Sequence, residues 1–309
     1  MRKISQLQLE QIIAVSNEGL TKFPPAALEK DIFLTEALKA ITKNEYYDSS
    51  ELNIIFGGGT SLIKAFPIIS RMSEDLDFKI VFKPSEERNA TKRFLGDVKR
   101  SLTETLRNQG FDLGELVARN SNKYFRFDIP YESSFNPLVS LRPEIKMEFT
   151  VSKTPLPTQT REIETLLTRH ISNKELPNIE FECVHPAQTA AEKLISLCRG
   201  VEKIMNGQDE QLIRHIYDLH QLSKFGLETD DVKRALSSAI DEDSTRFKSD
   251  FPDDLKSDPS KYLRQGFDKL LKFPKLDALY TSFVMVLVSG EAVELDEAKR
   301  SLDQLLSKI

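Results

Sequence analysis

The sequence predicts an α+β protein, a mixed sheet flanked by helices and followed by an α-helical bundle, on three observations. Short segments with period-two alternation fall between Leu52 and Val151 and read as half-buried strands. Longer segments with apolar residues at three- and four-residue spacing surround them. Beyond Thr154-Pro155-Leu156-Pro157 only helical periodicity continues. The 309-residue length suits two domains, expected at 1–160 for the sheet and 161–309 for the bundle.

In order, Leu7, Ile12 and Ile13 give a first partial helical stripe, which Pro24-Pro25 ends. Ala26 to Lys43 reads as a second helix, with Leu28, Ile32, Leu34, Leu38 and Ile41 recurring at helical intervals. Leu52 to Phe56 is a short apolar strand running into Gly57-Gly58-Gly59. Thr60 to Ser70 reads as helical, with Leu62, Ile63 and Phe66 inward, and Leu76 to Phe82 as the next strand. Ser85 to Asn108 is an amphipathic helix with Phe94, Leu95, Val98, Leu102 and Leu106 on one side. Lys123 to Ile129 and Pro143 to Val151 alternate strictly, so each has one buried and one polar face. Helices then follow at Pro186–Arg199, Asp209–Phe225, Asp230–Ile240, Pro259–Leu271, Leu276–Val288 and Leu295–Leu305.

Apolar residues make up 39% and charged residues 29%, which supports a packed core and argues against global disorder. The net charge of -5 speaks against non-specific grip on long nucleic acid, so any such contact must be local. Two cysteines, Cys183 and Cys198, match no metal-knuckle spacing and read as small buried residues. The N-terminus lacks an apolar signal region, and the longest apolar run, Phe283 to Val288, is far below the roughly 20 residues of a bilayer span. A soluble, cytoplasmic protein is expected.

The chemistry gathers between Phe56 and Phe78. Glycines at the end of a strand allow a sharp turn and leave N–H groups uncovered for a phosphate. A helix N-terminus behind them adds partial positive charge. Gly58, Gly59, Thr60 and Ser61 are the expected phosphate contacts. Asp75 and Asp77, two apart on a strand, project from one face and repel each other unless a cation sits between them. Magnesium favours such hard oxygen ligands together with phosphate oxygens. Turn and pair together supply what phosphoryl-type transfer needs. Glu74 has the opposite parity and reads as a solvated or structural charge.

These residues resemble the AbiEii/AbiGii toxin family, within the DNA polymerase β-like nucleotidyltransferase superfamily. The resemblance is carried by Gly58-Gly59-Thr60, Arg71 and Ser73-Glu74-Asp75-Leu76-Asp77-Phe78. Glu29-Lys30-Asp31, Ala191-Glu192-Lys193-Leu194 and Arg214-His215-Ile216-Tyr217-Asp218-Leu219 extend it. It implies a polymerase β-like nucleotidyltransferase domain, a helical domain completing the cleft, and the toxin of a toxin–antitoxin or phage-defence pair. It further implies an NTP substrate with Mg2+, an RNA acceptor such as a tRNA 3′ end, and a cognate antitoxin. Asp75 and Asp77 are then metal ligands and catalytic. Lys193 and Asp218 join them, and Ser73 and Lys146 are placed with the nucleotide. The chain departs from the family pattern at His215, where Asp is frequent, and in a slightly longer gap from Gly59 to Asp75.

Polymerase β-like enzymes commonly add a third carboxylate. Glu148 is the candidate, as a base for the acceptor hydroxyl or as part of a solvated strand face, with Asp128 as a weaker substitute. Lys193 reads either as a snorkelling surface lysine or as a cation offsetting pyrophosphate charge. Asp218 either pairs with Arg214 one helical turn away or orients Lys193. Tyr217 reads as a base-stacking or core residue. The basic run Arg88, Lys92, Arg93, Lys99 and Arg100 would face phosphate or solvent.

Overall fold

Residues 2–47, 49–83, 88–136, 138, 141–171, 179–246 and 251–309 are described in this computed structural model, without the side chains of Arg88 and Arg246. Contacts divide the chain into two units. One comprises Met1–Pro67, Met72–Lys153 and Thr158–Val184, and the other Ile68–Arg71, Thr154–Pro157 and His185–Ile309.

The first unit runs α1 (Gln6–Asn17), α2 (Pro25–Ile41), β1 (Leu52–Gly57), α3 (Gly58–Lys64), β2 (Asp75–Phe82), α4 (Arg88–Asn108), β3 (Leu116–Arg119), β4 (Tyr124–Pro130), β5 (Glu144–Val151), β6 (Gln159–Ile163) and β7 (Ile179–Cys183). The first three residues of the helix expected from Ser85 lie outside the described residues. The strands form one mixed sheet in the order β3-β4-β5-β2-β1-β7-β6. β1 is antiparallel to β2 and parallel to β7, while β2 and β5 are parallel. β6 and β7 extend the sheet past the Pro-rich change in texture.

Alternation sets the two faces of the sheet. Phe78, Phe149 and Phe125 from β2, β5 and β4 stack at centroid distances of 4.7 and 5.0 Å, and Phe56 and Phe181 pack beside them. Burying each such ring contributes roughly 1.5–3 kcal/mol. The opposite parity brings Asp75, Asp77, Lys146, Glu148, Arg126 and Asp128 onto the other face.

Helix α2 packs against β2, β5 and α4 and is buried on nearly every side. Its three consecutive charged residues are almost completely buried, and each finds a partner elsewhere in the unit. Glu29 accepts from the Ser133 hydroxyl at 2.5 Å and the Ser134 N–H at 2.8 Å. Lys30 donates to Glu74 at 2.6 Å and to the Arg142 carbonyl at 2.9 Å. Asp31 holds Lys64 at 2.6 Å and accepts from the Leu166 N–H at 2.6 Å. This satisfies the demand that buried charges be paired.

The helix read from Thr60 to Ser70 is confined to α3. Pro67 has no N–H to continue it, and Ile68–Arg71 groups with the helical unit. That unit contains α5 (Pro186–Arg199), α6 (Val201–Met205), a 3₁₀ turn at Glu210–Ile213, α7 (Arg214–Lys224), α8 (Thr229–Arg246), α9 (Asp253–Ser257), α10 (Pro259–Leu271), α11 (Leu276–Leu287) and α12 (Leu295–Lys308). α5 packs against α7, α8 and α10, and α7 against α12. Cys183 and Cys198 are free and buried. No described helix is long and apolar enough to cross a membrane.

Candidate active site

The site begins where β1 ends. Gly57 lies opposite Asp77 in the β1–β2 register, and Gly58 turns the chain with φ +69°. A Cβ on Gly58 would lie 1.9 Å from Asp77 Oδ2, so the backbone is seated directly against that carboxylate. Only glycine combines this approach with left-handed φ at no steric cost. Thr60 hydrogen-bonds the Asp75 carbonyl, and its Oγ1 lies 2.9 Å from Ser73 Oγ. The Ser61 hydroxyl donates to the Gly58 carbonyl at 2.9 Å. Thr60 and Ser61 are buried; the Thr60 hydroxyl ties the turn to the strand that carries the aspartates, and the Ser61 hydroxyl closes the turn on itself.

Asp75 and Asp77 share the polar face of β2. In register on β5, Lys146 lies opposite Asp75 and Glu148 opposite Asp77. On β4, Arg126 stands opposite Glu148 and Asp128 opposite Lys146. Arg126 clamps Asp128 with two contacts of 2.8 and 2.9 Å. Burial, followed by the Asp75 carboxylate, pushes Glu148 above its ordinary pKa, while the Tyr124 hydroxyl, Arg126 and Lys146 oppose the rise. The net effect is a Glu148 carboxyl held above its ordinary range, by burial first and by Asp75 second.

That donor set tests the fit of a cation. Among the described residues no three His, Cys, Asp or Glu side chains are grouped as a metal cage. Magnesium, however, is commonly held by one or two carboxylates plus substrate phosphates. Two hard carboxylates on one face, with Glu148 opposite Asp77 in register, fit a divalent ion in that mode.

Arg142, which the sequence does not single out, reaches this pair. Its Nη2 donates to Asp75 Oδ1 at 2.6 Å, and its backbone N–H donates to Glu74 at 2.8 Å. Glu74 in turn holds buried Lys30, so Lys30, Glu74, Arg142 and Asp75 form a chain of alternating charge. Burial raises the Glu74 pKa, but Lys30 and Arg142 outweigh it and leave the carboxyl below its usual range. Glu74 is therefore a structural anion.

Lys193 and Asp218 belong to the helical unit. Arg71 grips Asp218 through Nε and Nη2, each at 2.6 Å, and Lys193 Nζ lies 2.7 Å from Asp218 Oδ2. Burial works to raise the Asp218 pKa, but Arg71 and then Lys193 outweigh it and hold the carboxyl far below the usual range. Burial lowers the pKa of Lys193, against the attraction of Asp218. Burial, followed by Lys193, pushes His215 well below its ordinary value, so the imidazole is neutral. Tyr217 is core: it is buried, its hydroxyl accepts from the Ser70 N–H at 3.4 Å, and its ring meets Phe283 edge-on.

On α4, Arg100 pairs with Asp97 at 2.6 Å and Lys99 donates to Asn122 at 3.0 Å, while the Arg88 side chain lies outside the described residues. Sequence reasoning missed Arg142, Tyr124 and Arg126, and the pairing of Arg71 with Asp218. Arg71 and Lys30 stood in matched motifs, which was the available signal.

A glycine turn seated against an Asp-x-Asp strand, in a mixed sheet followed by helices, is an arrangement suited to nucleotidyl transfer. The chain belongs to the AbiEii family: the profile described as nucleotidyl transferase AbiEii toxin, Type IV TA system, matches residues 46–307. Among solved structures it is similar to MenT4, a nucleotidyltransferase toxin from Mycobacterium tuberculosis H37Rv, with 17% identity, 96% of this chain and 98% of that chain covered, and a TM-score of 0.53. At that identity the likeness is one of fold. Comparison with curated proteins finds no match. The protein is thus a nucleotidyltransferase toxin of a Type IV toxin–antitoxin family, which implies an NTP substrate and an antitoxin.

Proposed function

We propose that the toxin transfers a nucleoside monophosphate from an NTP, with Mg2+, to an RNA acceptor, a tRNA 3′ end, in the cytoplasm. The observation that carries this reading is the seating of Gly58 against Asp77, with Asp75 and Glu148 on the same sheet face. Asp75 and Asp77 would hold Mg2+, which supplies neutralisation of phosphate charge when bound. The amides of Gly58 and Gly59 face the phosphates, with Ser73 and Lys146 as the neighbouring polar groups. Glu148, with its raised pKa, suits a base that takes the proton from the acceptor hydroxyl. The acceptor oxygen bonds to the α-phosphorus as the bond to pyrophosphate breaks. Lys193 and Asp218 complete the proposed catalytic set, as a cation and the carboxylate that keeps it charged.

Asp75→Ala and Asp77→Ala are expected to abolish transfer without loss of fold, since both side chains are half-buried on the polar face of β2 and the Arg142 backbone keeps its bond to Glu74 when Asp75 is lost. Incubation with α-labelled NTPs and separate pools of tRNA, protein and small hydroxyl compounds reads the result. Label on tRNA, lost in both variants, supports the proposal. Label confined to protein or a small compound would reassign the acceptor, and wild-type labelling by the double variant would end the mechanism.

A further inference from the structure

Arg142 differs from the two-point grip of Arg71 on Asp218 in how it is held. Among the described residues, its guanidinium gives Asp75 Oδ1 a single 2.6 Å bond through Nη2, and Nε has no hydrogen-bond partner. The closest approach of Nε to Glu74 is 3.7 Å, beyond hydrogen-bond reach. The backbone of Arg142 is nevertheless fixed, because its N–H donates to Glu74 and its carbonyl accepts from Lys30. A pinned backbone with a singly bonded, 28% exposed side chain can swing its charged end without moving its anchor. Guanidinium prefers planar, two-point recognition of anions, and one carboxylate oxygen does not provide it. A polyphosphate does.

The position suits that exchange. The Gly58 turn rests on Asp77 at one end of the aspartate pair, and Arg142 binds Asp75 at the other. A divalent ion drawn to Asp75 meets the positive charge already paired with it, so cation and guanidinium compete for one carboxylate. We propose that Arg142 is a triphosphate ligand that exchanges partners: it neutralises Asp75 until a nucleoside triphosphate arrives, then transfers its guanidinium to the phosphates and yields Asp75 to the metal. Metal binding thereby becomes conditional on nucleotide. This inference rests on the nucleotidyltransferase reading of the same site.

The test measures binding, not turnover. Mn2+ binding, read by electron paramagnetic resonance of the free ion, is compared with and without an α,β-methylene NTP analogue, and calorimetry gives the analogue's affinity. In the wild type, the analogue is expected to tighten Mn2+ binding by about tenfold or more, the scale of one charge-assisted hydrogen bond. In Arg142→Gln, Mn2+ alone binds more tightly than in the wild type, the analogue binds about tenfold more weakly, and the coupling shrinks toward unity. Arg142→Lys keeps the charge without the fork, so coupling is intermediate; it also serves if the glutamine variant melts early. Unchanged Mn2+ and analogue affinities in both variants, beside a wild type that binds both, would overturn the exchange while leaving the enzymatic reading intact. A wild type that binds no analogue at any Mn2+ level would remove both.

Discussion

Two arginines, one in each unit, meet carboxylates in opposite ways. Arg71 and Asp218 are joined by two short bonds with side-chain exposures of 2% and 0%, whereas Arg142 and Asp75 share one bond at 28% and 25%. In the helical unit two cations share one carboxylate, so Asp218 itself is fully engaged and the charge in excess is positive. In the sheet unit the chain of charge ends on an aspartate that still faces solvent. Completeness of pairing thus separates a carboxylate held as a fixed counter-ion from one that retains affinity for a cation. The same contrast explains why Glu74, adjacent to Asp75 in sequence, is structural: the alternate parity directs it to Lys30.

The comparison breaks most visibly at Asp218. Asp218→Ala leaves Arg71 and Lys193 buried without their carboxylate and is expected to cost about 3–5 kcal/mol, read by urea unfolding. The pH dependence has a definite sign. The folded pKa of Asp218 is depressed, so its contribution is fully present above the unfolded value of about 3.9 and is lost as pH falls toward the folded one. Acid unfolding of Asp218→Asn should lack that increment. A wild-type-like melt for both variants would mean that the cluster is not what holds α7.

A smaller effect is expected at the turn. Gly58→Ala places a side chain in the left-handed region and drives its Cβ into the Asp77 carboxylate. A loss of about 1–3 kcal/mol is expected, with transfer reduced well beyond what the fraction unfolded explains. The smallest change sharpens the contrast between carboxylates. Glu148→Gln removes a charge that burial and Asp75 disfavour, so the protein should gain stability, within about 1 kcal/mol. Because the folded pKa of Glu148 is raised, the gain belongs to pH above that value and fades on acidification, opposite in sign to Asp218. A thermal melt series from pH 2 to 8 distinguishes the two.

Much of this was legible where the signal is local. The alternation of β2, β4 and β5, the glycine turn and the aspartate pair lie in short stretches whose spacing alone fixes their faces. β6 was missed because Gln159–Ile163 presents polar residues at successive positions, as an edge strand can, and follows a Pro-rich stretch that hides its period; β7 does alternate, but over only the five residues Ile179–Cys183, just before the helix that opens at Pro186. The helix after the glycines was drawn too long because its apolar residues outlasted its hydrogen bonding before Pro67. Arg142 precedes a proline in an irregular segment, and its carboxylate partner is 67 positions away. Arg71 and Asp218 are separated by 147 positions, so motifs named both residues without revealing that they meet. Pairing across such distances is set by topology, which no window of sequence contains.

The grouping of Ile68–Arg71 with the helices has a practical corollary for anyone dissecting the molecule. Four residues encoded between the glycine turn and the Asp75 strand supply the helical unit with a guanidinium, a backbone bridge to Val288, and the Ser70 carbonyl that accepts from the Ser289 N–H. A fragment beginning at His185 would leave all three behind, and Asp218 would retain Lys193 as its cation from this cluster. Separating the halves by a single cut therefore yields a mutilated bundle instead of a miniature of the native one, and grafting Ile68–Arg71 back is the first repair to make.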